Sequence, residues 1–351
     1  MWNTVCMTPQ NDKPVLVSVR KTTGVLELNR PGALNALNPE MIHIISHALE
    51  QWREDERVTQ VLIVSGPARG FCAGGDVRYT RERILAGGEG EIDDFFRAEY
   101  AMNHTIATFP KPYVAVIDGV VMGGGLGVSA HGSHRIITDE AFAAMPETAI
   151  GYLTDVGMSW LFQHLPRGSQ ALAAFLGVTG YRLSPADLVW SGLATHHISS
   201  LVRQAFVDTV IDRGVDAAVA EYDAAPVDSS RLAGLIDDIE ATFGHDTWEQ
   251  IDAALDAHGN RDFVEEVRTL TAQASPSSVV ATVELVAANS GAGSLRAGLD
   301  NEERLGEVLR RQPDFVEGVR AVLVDKSRDA AFDPAETGQV DPGPYRAVLE
   351  G

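Results

Sequence analysis

The sequence predicts an α/β protein, on three observations. Short, wholly apolar runs at 61–64 and 113–117 have the length and composition of buried strands. Stretches of helical period lie between such runs. Glycine-rich turns join the two kinds of segment, at 74–75 and 123–125. Beyond about residue 200 the strand signals fade and acidic helical stretches take over. The expected organisation is a core over 14–222 and a mostly helical C-terminal region over 223–345.

Residues 15–19 and 24–29 read as a strand pair around a turn at 21–24. Asn38-Pro39 opens a helix, with Asn as the cap and Pro in the first position. Met41, Ile44, Ile45, Ala48, Leu49 and Trp52 then recur at the helical period. The strand at 61–64 ends at Ser65-Gly66 and leads through a loop to Phe71-Cys72-Ala73-Gly74-Gly75-Asp76, after which a helix is expected from Val77. The Gly- and Glu-rich stretch 84–91 reads as a loop, and 93–108 as a helix. The apolar strand at 113–117 runs into Gly123-Gly124-Gly125, with a helix expected from Leu126 and another strand at 135–138. Residues 205–222, 230–242, 248–258, 263–274, 276–289 and 294–310 read as helices. The tail after Phe332, rich in Pro, Gly and Asp, reads as irregular.

Composition excludes several classes of function. At 45% hydrophobic, 351 residues can build a sizeable core. A net charge of −21, with no basic cluster longer than Arg310-Arg311, argues against nucleic acid and anionic membranes as partners. The apolar runs are too short to span a bilayer, and residues 1–13 lack the cationic start and apolar core of a secretory leader. The only cysteines, Cys6 and Cys72, make no disulfide framework, and a reducing cytoplasm is the expected compartment. His131 and His134 are three apart, but no H-E-x-x-H or Cys-rich spacing supports a metal. Cys72 has no His partner nearby in sequence and Ser129 sits in no G-x-S-x-G elbow, so neither reads as a nucleophile.

The chemistry lies in the glycine turns. Each follows an apolar strand and precedes a helix, where a backbone N–H lies near the positive helix end. Glycine lets a ligand approach that backbone closely. Gly75 and Gly124 are thus candidate donors of an oxyanion hole at a carbonyl. Glu147, in Met145-Pro146-Glu147, supplies a carboxylate to act beside that oxygen. Asp155 follows eight residues later. On an unbroken helix the two would stand about 80° apart, but Gly151 interrupts, so they would meet only across a turn and spacing alone leaves the pair open. Two carboxylates at one carbonyl suit acid/base or nucleophilic work if burial shifts one of them. Glu99, among Phe95, Phe96 and Tyr100, reads by itself as a surface or capping acid. A competing reading takes Gly125-Leu126-Gly127-Val128-Ser129-Ala130 as a dinucleotide fingerprint, with Glu147 twenty residues past Gly127 as the ribose ligand. That acid should end a second strand, whereas the strand at 135–138 ends near Asp139.

Leu28-Asn29-Arg30-Pro31, Leu34-Asn35-Ala36-Leu37, the 71–76 motif, Lys111-Pro112, the glycine triplet and Pro146-Glu147, in that order over about 15–200, resemble the crotonase (enoyl-CoA hydratase/isomerase) superfamily. The resemblance implies a crotonase-like spiral of ββα units with a helical C-terminal region. It implies an acyl-CoA substrate, with CoA as part of that substrate and no separate cofactor. It makes the N–H groups of Gly75 and Gly124 the oxyanion hole for the thioester. It also implies a homo-oligomer, of a count the long C-terminal region leaves open.

Hydratases of the superfamily carry a glutamate two residues after the triplet, and here that position is Gly127. Other segments are similar to the 3-hydroxyisobutyryl-CoA hydrolase branch instead. They are Phe95-Phe96-Arg97-Ala98-Glu99-Tyr100, the stretches 145–151 and 155–157, Ser275-Pro276-Ser277-Ser278, the stretch 314–321 and Asp325-Lys326. That likeness implies substrate contacts from Glu99, Gly124, Glu147 and Asp155. Glu147 would be the main catalytic carboxylate, as nucleophile on the thioester carbonyl or as general base for water. Asp155 would position the 3-hydroxyl or water, and Glu99 would line the acyl pocket. The expected reaction is hydrolysis of a short 3-hydroxyacyl-CoA, namely 3-hydroxyisobutyryl-CoA of valine breakdown. The alternatives are an enoyl-CoA hydratase or isomerase, and a non-catalytic acyl-CoA-binding protein.

Overall fold

Two mainly parallel sheets, threaded in alternation, set the frame of the computed structural model, which describes residues 13–66, 70–226 and 228–350. Most of the stretch read for a leader, 1–12, and Cys6 with it, lie outside those residues. Strand β1 (Val15–Arg20) turns at Lys21, whose φ is 54°, into the antiparallel β2 (Thr23–Leu28). Asn38 Oδ1 then accepts the Met41 N–H at 2.9 Å and starts α1 (Pro39–Glu54). Lys111 Nζ donates to Trp52 O at 2.5 Å and to Asp55 O at 2.8 Å, which satisfies orphan carbonyls at the end of α1.

From there the chain repeats strand, strand, helix. Strand β3 (Gln60–Ser65) pairs parallel to β2, and the short β4 (Gly70–Cys72) starts the second sheet. Helices α2 (Val77–Leu85) and α3 (Glu89–Ala107) follow. The next repeat is β5 (Tyr113–Ile117), β6 (Val120–Met122) and α4 (Gly124–Gly127). The third runs β7 (His134–Thr138), β8 (Phe142–Ala144), a 3₁₀ turn at Glu147–Ile150 and the helices α5 (Met158–His164), α6 (Gln170–Thr179) and α7 (Pro185–Ser191). Strand β9 (His196–Ile198) closes the first sheet, in the order β1-β2-β3-β5-β7-β9; the second sheet is β4-β6-β8. This is the expected spiral of ββα units.

The apolar runs are continuous because both faces of the first sheet are covered. Val61, Ile63, Ala115 and Ile117 face the main core. Leu62, Val64, Val114 and Val116 pack on Phe206 and Val210 of α8 (Arg203–Arg213) and on Val215 and Ala218 of α9 (Val215–Tyr222). Then come α10 (Arg231–Phe243), α11 (Trp248–Ala257), α12 (Arg261–Thr271), α13 (Pro276–Ser290) and α14 (Leu295–Arg310), each opened by a Ser, Thr or Asn side chain that accepts a first-turn amide. Helix α15 (Pro313–Val319) passes into a π turn at Arg320–Val324. Helix α13 packs on α5 and α6, α14 on α3 and α5, and α15 on α2 and the 147–150 turn. The C-terminal region thus backs the segments that carry the acidic residues.

Four expectations need correction. The stretch 84–91 is not a loop, since α2 reaches Leu85 and α3 begins at Glu89. Glu89 and Glu91 sit in the first turn of α3, where acids suit the helix dipole, and that charge gave the stretch its loop-like composition. The helix after the triplet starts at Gly124, not Leu126, and lasts one turn. Gly214, with φ 91°, divides the helix expected over 205–222. The tail is not wholly irregular: it ends in α16 (Gly343–Leu349), which buries Tyr345 and places Pro344 in its first turn, where the missing N–H costs nothing.

Candidate active site

The first glycine turn is held by the 28–37 motif. Ala73 N–H donates to Leu34 O at 3.0 Å, Asn35 Nδ2 to Phe71 O at 2.9 Å, and Arg30 pairs with Asp76 at 2.7 Å. Leu37 bridges Gly75 in parallel: Leu37 N–H donates to Gly74 O at 2.8 Å and Asp76 N–H to Leu37 O at 2.7 Å. A parallel bridge leaves the N–H of its central residue facing away from the partner strand, here toward a cavity.

Gly124 opens α4, so its N–H is one of the helix's orphan donors. A Cβ on Gly124 would lie 3.2 Å from Gly75 N, so the two glycines lie side by side. The same Cβ would lie 2.6 Å from Glu99 Oε1, and a Cβ on Gly123 would lie 2.7 Å from Glu147 Oε1. Two carboxyls therefore flank the paired amides, one against each glycine.

Glu147 begins the 3₁₀ turn that ends at Gly151, whose φ is 73°. Its neighbour Thr148 is held from two sides, with Ser275 N–H donating to Thr148 O at 2.9 Å and Thr148 Oγ1 donating to Val178 O at 3.1 Å. The left-handed Gly151 returns the chain so that Tyr152 and Asp155 face the same cavity as Glu147. Tyr100 OH donates to Asp155 Oδ2 at 2.9 Å. Glu302 of α14 accepts the Gly157 N–H at 2.6 Å and the Ser159 N–H at 3.3 Å, pinning the turn after Asp155.

Gly75, Gly124, Glu99, Glu147 and Asp155 all line one cavity of about 400 Å³. Its other walls are mainly apolar, with Phe95, Phe96, Met122, Ile150, Val322 and Leu323. Burial pushes Asp155 up to about 7 and Glu99 up to about 8. Glu147 is raised well above the usual carboxylate range by burial first and by the Asp155 charge second. Glu147 Oε2 and Glu99 Oε1 are buried without hydrogen-bond partners. The Asp155 charge that raises Glu147 makes the two carboxyls lose their protons one after the other. Two neighbouring glycine N–H donors and two carboxyl groups in an apolar pocket can stabilise an oxyanion, deliver a nucleophile and move a proton.

The remaining candidates are structural. The Cys72 thiol is buried, donates to Asn35 O at 3.1 Å, and is pushed up to about 12. His131 donates its Nε2–H to Val156 O at 2.7 Å and is held neutral, pulled down to about 4 by burial. Among the described residues no cluster of His, Cys, Asp and Glu is placed to hold a metal. The dinucleotide reading fails, because α4 is a single turn and Glu147 stands in the cavity wall and not at a strand end. A side chain at 127 has no room, since its Cβ would lie 2.8 Å from Asn103 Nδ2 and 2.9 Å from Val156 Cβ.

A paired-amide hole flanked by acids on a ββα spiral defines an enzyme class that works on a carbonyl. The sequence profile of the enoyl-CoA hydratase/isomerase family matches residues 23–349. A 3-hydroxyisobutyryl-CoA hydrolase, described as mitochondrial, from Xenopus laevis is 38% identical over 343 residues, covering 94% of this chain and 86% of its own length. The Homo sapiens protein of that description is 34% identical over 336 residues, covering 93% and 86%. Among solved structures, a carnitinyl-CoA dehydratase from Mycobacterium thermoresistibile superposes with a TM-score of 0.89 at 36% identity, over 96% of both chains. An enoyl-CoA hydratase from Rhodobacter sphaeroides superposes with a TM-score of 0.86 at 33% identity, over 96% of this chain and 97% of its own. The chain belongs to the enoyl-CoA hydratase/isomerase family.

Sequence reasoning did not assign roles to Tyr100, Tyr152, Glu302 or Arg310, which surround Asp155. Arg310 shows in the sequence only as half of a basic pair, and Glu302 only as one acid among many on α14. Their partners lie more than 140 residues away in the chain, 145 for Glu302 and Gly157 and 158 for Arg310 and Tyr152.

Proposed function

We propose that this protein hydrolyses a short 3-hydroxyacyl-CoA thioester, with 3-hydroxyisobutyryl-CoA as the substrate and 3-hydroxyisobutyrate and CoA as products. Glu147 carries the reading, set against Gly123 beside the two amides while position 127 has no room for a second glutamate. The thioester oxygen sits between the N–H groups of Gly75 and Gly124, which take up negative charge as the carbonyl carbon becomes tetrahedral. Glu147, as carboxylate, either attacks that carbon, giving a mixed anhydride that water then opens, or takes a proton from attacking water. The departing CoA thiolate takes up a proton released by that water, and Asp155 positions the water or the 3-hydroxyl. The apolar wall excludes bulk water and strengthens each of these interactions.

The reaction would belong to valine breakdown, as the resemblance to the hydrolase branch implies. For the compartment we propose the reducing cytoplasm, on the cysteine count alone. The solved relatives described as a dehydratase and a hydratase favour one second reading, addition of water to an enoyl-CoA. A thiol-release assay across short acyl-CoA thioesters separates the two. Hydrolysis frees CoA thiol, whereas hydration removes the enoyl-thioester absorbance without freeing thiol.

A further inference from the structure

Helix α14 reaches the residues around Asp155 a second time, eight residues after Glu302, through Arg310. The Arg310 side chain is 3% exposed, lies 4.2 Å over the Phe96 ring and pairs with Asp93 at 2.9 Å. Its Nη1 donates to Tyr152 OH at 2.7 Å. The Tyr152 and Tyr100 hydroxyls are 3.2 Å apart, and Tyr100 donates to Asp155 Oδ2. A guanidinium can only donate. Tyr152 must therefore accept from Arg310, which frees its own proton for Tyr100, and Tyr100 spends its proton on Asp155. The hydrogen bonds run one way, from a buried cation to one member of the acidic pair.

We propose that Arg310 is a positioning residue for the reaction, acting through the Tyr152 and Tyr100 hydroxyls to fix the orientation and the negative charge of the Asp155 carboxylate. The proposal rests on the hydrolase reading of this cavity for its kinetic consequence, but not for its structural one. The titratable groups facing Asp155 are Glu147 on the 3₁₀ turn, Glu99 and Tyr100 on α3, Tyr152 on the same loop, and Glu302 and Arg310 on α14. Asp93 and Arg311 lie beyond Arg310, and the neutral His131 holds the next residue's carbonyl. Burial raises Asp155, and the Tyr100 hydrogen bond and the Arg310 charge are what hold it down. Among the described residues no such chain reaches the opposing carboxyls, and Glu147 Oε2 and Glu99 Oε1 have no hydrogen-bond partner.

The test uses Tyr152→Phe, Arg310→Gln and Arg310→Lys in the full chain. Tyr152→Phe keeps the ring and the Arg310–Asp93 pair and removes only the relay hydroxyl, so it keeps the proposal testable if Arg310→Gln fails to fold. The first readout is the carboxyl titration of Asp155 by ¹³C NMR in aspartate-labelled protein, with the signal assigned by its loss in Asp155→Asn. The second is kcat/KM for thiol release against pH. Tyr152→Phe and Arg310→Gln should move both the titration and the acidic limb upward by about one pH unit. That shift is a roughly tenfold loss below the limb that recovers at high pH. Arg310→Lys, which keeps the charge, should shift less. An unmoved titration in folded Tyr152→Phe, or an equal loss at every pH, overturns the proposal. A moved titration in a protein that frees no thiol would sustain the relay and overturn the hydrolase reading instead.

Discussion

Glu147 Oε1 lies 2.7 Å from the point where a Cβ on Gly123 would stand. The first glycine of the triplet is thus the gap through which the carboxylate reaches the hole, and the second, Gly124, supplies the donor. Their order explains why the triplet cannot be read as a turn alone.

Gly124→Ala should block the hole while sparing the fold. Its Cβ would meet the Glu99 carboxyl oxygen at 2.6 Å, a side-chain end that can swing away, and would crowd Gly75 N at 3.2 Å. Thiol release should fall in kcat because the added methyl group keeps the thioester oxygen from the retained Gly124 N–H; full loss of that contact would cost roughly two to three orders of magnitude. Urea unfolding should show a stability change below about 1 kcal/mol.

Gly127→Glu, which restores the glutamate of the family's hydratases, should not confer hydration. The new Cβ would meet Asn103 Nδ2 at 2.8 Å and Val156 Cβ at 2.9 Å, so the side chain has no path to the cavity without moving the 155–157 turn. A loss of about 1–3 kcal/mol in urea unfolding is expected, the cost of overpacking. Gain of enoyl-CoA hydration in a folded variant would count against this geometry.

The pH dependence follows from the Glu147–Asp155 pair. Its ionised form is the working one. Asp155 is raised to about 7, so protonation removes the carboxylate as pH falls through that value. kcat/KM for the wild-type protein should therefore drop tenfold per unit on the acid side of about 7. An acidic limb at the ordinary carboxylate value would contradict a buried pair.

Much of this site was legible because its signals are local. Strand, glycine turn and helix run consecutively at Gly75 and again at Gly124, and the Pro146-Glu147 dipeptide follows them in the chain. The meeting of Glu147 with Asp155 was not legible, since it depends on the left-handed Gly151 turn and on α14 and α15 behind it. Glu99 looked like a surface acid because α3 carries acids on both faces. Only the packing of α3 against the 124–127 turn shows which one is buried. Gly- and Glu-rich composition at 84–91 misled because the same residues that suit a loop also suit a helix start.

Glu302 makes a separate prediction about stability. Burial raises it from 4.5 to about 8, so the fold favours its protonated form. That contribution is full below pH 4.5 and is lost as pH climbs toward about 8, because the unfolded chain then holds fewer protons than the native one. Glu302→Gln keeps an acceptor for the Gly157 N–H and cannot ionise. Its unfolding free energy should fall less than that of the wild-type protein across this window, and equal slopes would contradict a buried, protonated Glu302.

The central claim is that Glu147, beside the amides of Gly75 and Gly124, hydrolyses the thioester. The most direct measurement compares CoA thiol release from 3-hydroxyisobutyryl-CoA by the wild-type protein and by Glu147→Gln, with unfolding curves to show that both are folded. The account predicts thiol release by the wild-type protein and a loss of at least about a thousandfold in kcat for the variant. A folded Glu147→Gln that releases thiol at the wild-type rate would contradict it.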